Sequence, residues 1–157
     1  MVIALPTYTA RTHGAIMGEG IFILNIMDTM QIGNITELKI QTAFVEKGYH
    51  VFTPITDGSS VDLIFINENN IAKKVQIKTS VETATGFRID TRKATSSSRV
   101  RKKSYEKDEI DFFATVFKAD VYIVPINIAS SYSMITLRID KEYKNGFKPV
   151  YAEDYLL

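Results

Sequence analysis

Cysteine is absent from all 157 residues, which excludes a disulfide framework and a thiolate metal site and leaves the redox compartment undetermined. Long apolar runs are absent as well. No stretch approaches the roughly 20 residues that a membrane helix needs. The short run from Ile21 to Met27 follows Gly18, Glu19 and Gly20, where a secretory leader would be basic. A chain without membrane contact is expected, and a cytoplasmic one. Histidine is scarce: His13 has no partner in its neighbourhood and His50 is flanked by apolar strand residues, so neither is read as a metal or catalytic group. No internal repeat appears.

With 45% hydrophobic and 24% charged residues the composition is that of a globular protein, and the length suits one domain with a real core. Residues 1–30, with Pro6, Gly14, Gly18 and Gly20 and no clear period, are read as an arm or extension, and 31–157 as the domain. The net charge of +1 conceals an asymmetry. Between Arg88 and Lys103 stand Arg88, Arg92, Lys93, Arg99, Arg101, Lys102 and Lys103 against the single acid Asp90, while the remainder carries twelve basic and seventeen acidic residues. A concentrated positive field on a mildly acidic protein fits a phosphate-backbone ligand. The serines and threonines of 94–98, Ser97 among them, suit backbone contacts to phosphates and carry no base-reading information themselves.

Asn34 as an N-cap, Glu37 three residues on as its capping-box partner, the spacing of Ile35, Leu38, Thr42 and Val45, and the stop at Gly48 predict a helix. Tyr49 to Thr53 reads as a strand ended by Pro54. Val61 to Ile66 and Ile71 to Ile77 then form two β-branched and aromatic strands around the turn Asn67-Glu68-Asn69-Asn70, a β-hairpin. A short strand is expected over Gly86 to Thr91. Tyr105 to Lys118 shows helical spacing at Ile110, Phe113, Ala114 and Phe117, with Glu106, Asp108, Glu109 and Asp111 at its dipole-positive end, and is read as a second helix. Val121 to Ile128, where Pro125 marks an edge or bulge, and Met134 to Ile139 are strands, Asn145-Gly146 is a turn, and the tail from Tyr151 packs on the surface. The fold class expected is α/β, with a mixed β-sheet flanked by helices.

The hairpin carries the chemistry. If its loop holds an odd number of residues, Asp62, Gln76 and Lys78 share one face; a four-residue loop would pair Asp62 with Val75 and split them. Asp62 is hard to explain structurally, since an acid opens an otherwise apolar strand poorly unless something cationic meets it. With Glu37, the set supplies two carboxylates and an amide oxygen, hard ligands for Mg²⁺, beside a lysine that can orient water and offset charge on a phosphorane-like transition state. That is phosphodiester chemistry. Three of the four also have an ordinary explanation: Glu37 as a capping residue, Gln76 and Lys78 as solvated strand residues.

A glutamate on the first helix, an aspartate at the head of a hairpin and Gln-x-Lys at its end resemble the PD-(D/E)XK nuclease superfamily, with its restriction-endonuclease-like core. The segments GNITELKIQTAFVEKGYHVFTP, SSVDLIFI, KKVQIKTS, YEKDEIDFFATVF and DVYIVPI are similar to bacterial group I intron-encoded PD-(D/E)XK homing endonucleases, over roughly Gly33 to Ile128. The resemblance implies a Mg²⁺-dependent, sequence-specific double-strand DNA endonuclease acting as a homo-oligomer, dimer or dimer of dimers, and associated with the nucleoid through its target. It implies Glu37, Asp62, Gln76 and Lys78 as the catalytic set, the first three as metal ligands, with Tyr105 and Asp111 matching in supporting roles. Two positions depart from the superfamily pattern. Val61 replaces its proline, which only shapes backbone, and Gln76 replaces an acid, which lowers the negative charge of the site. The same core also serves Holliday junction resolvases and restriction-type nucleases. A non-catalytic DNA-binding module on this fold, and an RNA-binding splicing partner, are the alternatives of another class.

Overall fold

The computed structural model describes residues 28–56, 59–93, 103–129, 132–141 and 149–157. His13, the run Ile21 to Met27 and the Asn145-Gly146 turn lie outside them, as do Ser97, Arg99, Arg101 and Lys102. Helix α1 spans Thr29–Glu46. It starts earlier than the sequence predicts, because Asp28 and Gln31 satisfy the same capping-box pattern as Asn34 and Glu37: the Asp28 carboxylate accepts from the Gln31 backbone N–H at 2.7 Å, and the Gln31 amide oxygen accepts from the Asp28 N–H at 3.0 Å. Asn34 and Glu37 are interior helical residues. Gly48, with φ +84°, lies past the end as expected.

Apolar residues occupy more than one side of α1, and the side that packs is not the one the spacing singled out. Thr36, Ile40 and Phe44 are buried, whereas Leu38 and Val45 remain 62% and 59% exposed. Glu37 precedes Ile40 by three residues and Phe44 by seven, so it rides on the packed side of the helix.

Among the described residues nine strands form two sheets. The first has the order β1 (His50–Phe52), β2 (Leu63–Ile66), β3 (Ala72–Ile77), β6 (Phe112–Phe117) and β7 (Asp120–Pro125), with β3 and β6 parallel and the other neighbours antiparallel. The second has the order β4 (Val81–Thr83), β5 (Gly86–Asp90), β8 (Met134–Arg138) and β9 (Val150–Tyr151). Helix α2 is a single turn, Ile126–Ala129, after the edge strand that ends in Pro125.

The helix predicted over Tyr105 to Lys118 is not formed. Lys107 to Glu109 turn, and Phe112–Phe117 is an interior strand of the first sheet. Its neighbours explain the misleading period. Phe113 and Phe117 face the second sheet and pack with Phe87, Tyr122 and Leu137, while Ala114, on the opposite face, packs with Ile40, Phe44 and Leu63 beneath α1. A strand buried on both faces shows a continuous apolar run rather than alternation, and such a run mimics a buried helix. The first sheet is thus clamped between α1 and the second sheet, with a core on each side.

Candidate active site

Strands β2 and β3 pair Leu63 with Val75 and Ile66 with Ala72. The loop between them therefore holds five residues, Asn67 to Ile71. The Asn67 side chain accepts from the N–H groups of Asn69 (3.1 Å) and Ile71 (2.9 Å), and Asn70 adopts φ 59°, which asparagine tolerates well. The pairing ends at Leu63 and Val75, and Asp62, in a bend just before β2, sits next to Gln76 at the end of the hairpin. Leu63 and Phe65 point into the core under α1, and Asp62 turns the other way. Its own N–H donates to Val75 O at 2.9 Å, and its Oδ2 accepts from the Ile77 N–H at 2.7 Å and from the Gln76 amide.

Gln76 is nearly buried, and its amide is bonded at both ends. Nε2 donates to Asp62 Oδ2 and, at 3.3 Å, to Ile77 O, while Oε1 accepts from the Tyr105 hydroxyl at 2.9 Å. The nitrogen edge, not the oxygen, thus faces Asp62. Lys78 Nζ donates to the Tyr105 hydroxyl at 3.2 Å and to Arg92 O at 3.1 Å, and lies 5.1 Å from the centre of the Tyr105 ring. Burial, and then the charges of Asp62, Glu109 and Asp90, push the Tyr105 hydroxyl up to about 12, so it stays protonated at any working pH.

Glu37 comes from α1 and lines a cavity of about 330 Å³ with Asp62, Gln41, Thr53, Thr56, Ser59 and Val61. Burial, then the charge of Asp62, raises its carboxyl above the usual range. Burial raises Asp62 too, against the opposing pull of the Ile77 N–H, Lys78 and Gln76. Two carboxyls whose charge is disfavoured beside one open cavity are a donor set that a hard divalent cation would relieve, and Glu37 and Asp62 suit that task. Among the described residues no third carboxylate or imidazole joins them in a cluster.

The basic segment starts and ends at the site. Arg92 and Ser104 form an isolated antiparallel bridge, and Lys93 N–H donates to Lys103 O at 2.8 Å. The carbonyl of Arg92 holds Lys78, and Tyr105 follows Ser104 directly. Arg88 and Lys103 are exposed, whereas Arg92 pairs with Asp90 at 2.8 Å and Lys93 with Glu109 at 2.5 Å. Asp111, read as a helix-dipole complement, instead clamps β3 to the start of β6. Its carboxylate accepts from Lys74 N–H at 2.8 Å and Lys73 Nζ at 3.3 Å, and its N–H donates to Lys74 O at 2.8 Å.

The parts that sequence reasoning did not find are backbone groups, Arg92 O and Ile77 N–H, and the cavity walls from Gln41 and Thr53. No side-chain pattern signals these, because they come together only in the fold.

Residues 27–157 match the PD-(D/E)XK endonuclease family. A solved bacterial homing endonuclease, I-Ssp6803I, superposes with a TM-score of 0.66 at 24% identity, over 83% of this chain and 89% of that one, and so shares the fold. Among curated proteins none matches significantly. No helix of the described residues is long and apolar enough to cross a membrane. With the family matched over residues 27–157, which include every described residue, this protein belongs to the PD-(D/E)XK endonucleases.

Proposed function

We propose that the chain is a Mg²⁺-dependent, sequence-specific double-strand DNA endonuclease of the intron-homing kind, with Glu37, Asp62, Gln76 and Lys78 as its active site. The observation that carries this is the convergence at the end of β3 of a part-buried carboxylate, Asp62, and the Lys78 ammonium, linked through Gln76 and Tyr105 by hydrogen bonds. The homing assignment draws support from the resemblance of the local sequences and from a structural neighbour that is itself a homing endonuclease.

Glu37 and Asp62 would hold the metal, which when bound would polarise the scissile phosphate and lower the pKa of water; Gln76, expected as a third ligand, has its amide oxygen taken by the Tyr105 hydroxyl and its nitrogen turned to Asp62. The chain's own groups do the rest. Asp62 is aimed by the Ile77 N–H and the Gln76 amide. Lys78, anchored on Arg92 O and Tyr105, presents a fixed ammonium that orients the attacking water and balances charge developing on the phosphoryl oxygens; the flat guanidinium of an arginine would offer the wrong shape. Arg88 and Lys103, which are exposed, would grip the duplex backbone, and the sequence adds the charges of Arg99, Arg101 and Lys102 to theirs. One site cuts one strand, so a duplex break requires two copies about a two-fold axis, in a dimer or dimer of dimers.

The test is incubation of the full chain, with Mg²⁺ or with EDTA, on linear duplexes joining the exon sequences that flank a group I intron carrying this reading frame, against a four-way junction. Discrete Mg²⁺-dependent duplex cleavage is the expected result. Cleavage of the junction alone would point to a resolvase. Gln76, a neutral amide bonded to Asp62, favours one second reading, a DNA-binding module that keeps the fold without cutting, and duplex binding with no cleavage under any divalent metal would establish it.

A further inference from the structure

We propose that Tyr105 is a positioning residue of the active site: its hydroxyl fixes the Gln76 amide with the NH₂ edge on Asp62 and, at the same time, holds the Lys78 ammonium. The inference rests on the nuclease reading above. A directional chain of donors crosses the site. Lys78 Nζ donates to the Tyr105 oxygen (3.2 Å), the Tyr105 hydroxyl donates to Gln76 Oε1 (2.9 Å), and Gln76 Nε2 donates to Asp62 Oδ2. Each donation polarises the next, so the chain is stronger than its separate bonds.

Its direction is set at both ends. Lysine can only donate and a carboxylate can only accept, which leaves the amide between them one favourable orientation. Ile77 O, 3.3 Å from Nε2, adds a second acceptor on the nitrogen side. A flipped amide would set its oxygen against both acceptors and deprive Tyr105 of its acceptor. In this arrangement Gln76 serves Asp62 as a hydrogen-bond donor, which with the Ile77 N–H aims the carboxylate through Oδ2.

A buried tyrosine that merely satisfied itself would need one partner. Tyr105 engages both functions of its hydroxyl, and both go to active-site residues. Its ring is held independently: it is 6% exposed and meets the Phe113 ring edge-on at 5.4 Å. The hydroxyl can therefore be removed while the packing stays.

Tyr105→Phe makes that removal, and two readouts follow it in the full chain. One is the ¹⁵N–¹H resonance pair of the Gln76 side-chain amide, identified by its loss in Gln76→Leu. The other is single-turnover cleavage of the duplex with Mg²⁺, beside duplex affinity measured with Ca²⁺. In Tyr105→Phe the Gln76 pair is expected to shift and exchange faster with solvent. The cleavage rate at saturating protein should fall about 10- to 100-fold, the usual cost of losing a group that orients a ligand, with duplex affinity unchanged. An unmoved Gln76 resonance, or an unchanged rate in a protein that cuts, would overturn the proposal. If the wild-type chain cuts no duplex, the nuclease reading fails on that arm, and the resonance alone decides whether Tyr105 orients Gln76.

Discussion

Asp62 Oδ2 accepts the backbone N–H of Ile77 at 2.7 Å, so the hairpin's own main chain aims the acid. Asp62 lies in the bend just before β2, where the hairpin brings it within reach of β3. Asparagine at position 62 keeps an acceptor for that N–H while losing the charge. Asp62→Asn is therefore expected to fold with an unchanged circular dichroism spectrum and to lose Mg²⁺-dependent cleavage by about 100-fold or more, the several kcal/mol that charge stabilisation at such a centre supplies. Parallel cleavage and melting measurements check both halves.

The raised carboxyls of Glu37 and Asp62 predict how the metal-free protein responds to pH. A carboxyl whose folded pKa lies above its unfolded value favours the protonated form in the fold. Its stabilising contribution is full below the unfolded value and is lost as pH rises through the folded one. In EDTA, Tm should accordingly drop as pH climbs through the window just above the ordinary carboxylate range. Glu37→Gln should flatten that drop. Added Mg²⁺, bound only by the folded state, should raise Tm at neutral pH in wild type and less in Glu37→Gln. Calorimetric scans between weakly acidic and neutral pH, with and without metal, test this.

The hairpin, and with it Asp62, Gln76 and Lys78, was legible in the sequence because it is local: a period of two, an asparagine turn and a separation of fourteen positions from Asp62 to Gln76. Glu37 was legible as a candidate, although its capping role was not real, since Asp28 and Gln31 fit the same pattern one turn and more upstream. Strand β6 was misread because burial on both faces erases alternation and leaves Ile110, Phe113, Ala114 and Phe117 at a helix-like spacing. Strand β4 escaped notice because Val81-Glu82-Thr83 is a short edge with two exposed residues and no apolar pattern. The bonds of Tyr105 span 27 residues to Lys78 and 29 to Gln76, a relationship that local periodicity does not encode.

Asp111 offers a test of the corrected topology. Its carboxylate joins β3 to β6 through the Lys74 N–H, so Asp111→Ala leaves a part-buried donor unpaired and should cost about 1–3 kcal/mol. A dipole complement at an exposed helix start would cost about 0.3–1 kcal/mol. Urea unfolding of the variant distinguishes the two.

Arg88 and Lys103 are exposed, whereas Arg92 and Lys93 pair with Asp90 and Glu109. Replacing Arg88 or Lys103 with alanine should weaken duplex binding and lower the salt dependence by about one unit of slope each if each meets a phosphate. Arg92→Ala should change the slope less, because an ion pair already offsets that charge. Fluorescence anisotropy across a salt series gives these slopes.

Lys78 is where the account is most exposed to test, because its ammonium, held by Arg92 O and Tyr105, is assigned a part in the chemistry rather than in the fold. Lys78→Met keeps the aliphatic stem and removes the charge. The decisive measurement is single-turnover duplex cleavage with Mg²⁺, with duplex affinity measured alongside in Ca²⁺. The expected outcome is retained binding and a loss of cleavage of about 100-fold or more. Cleavage at the wild-type rate in Lys78→Met would contradict the assignment of this hairpin as the active site.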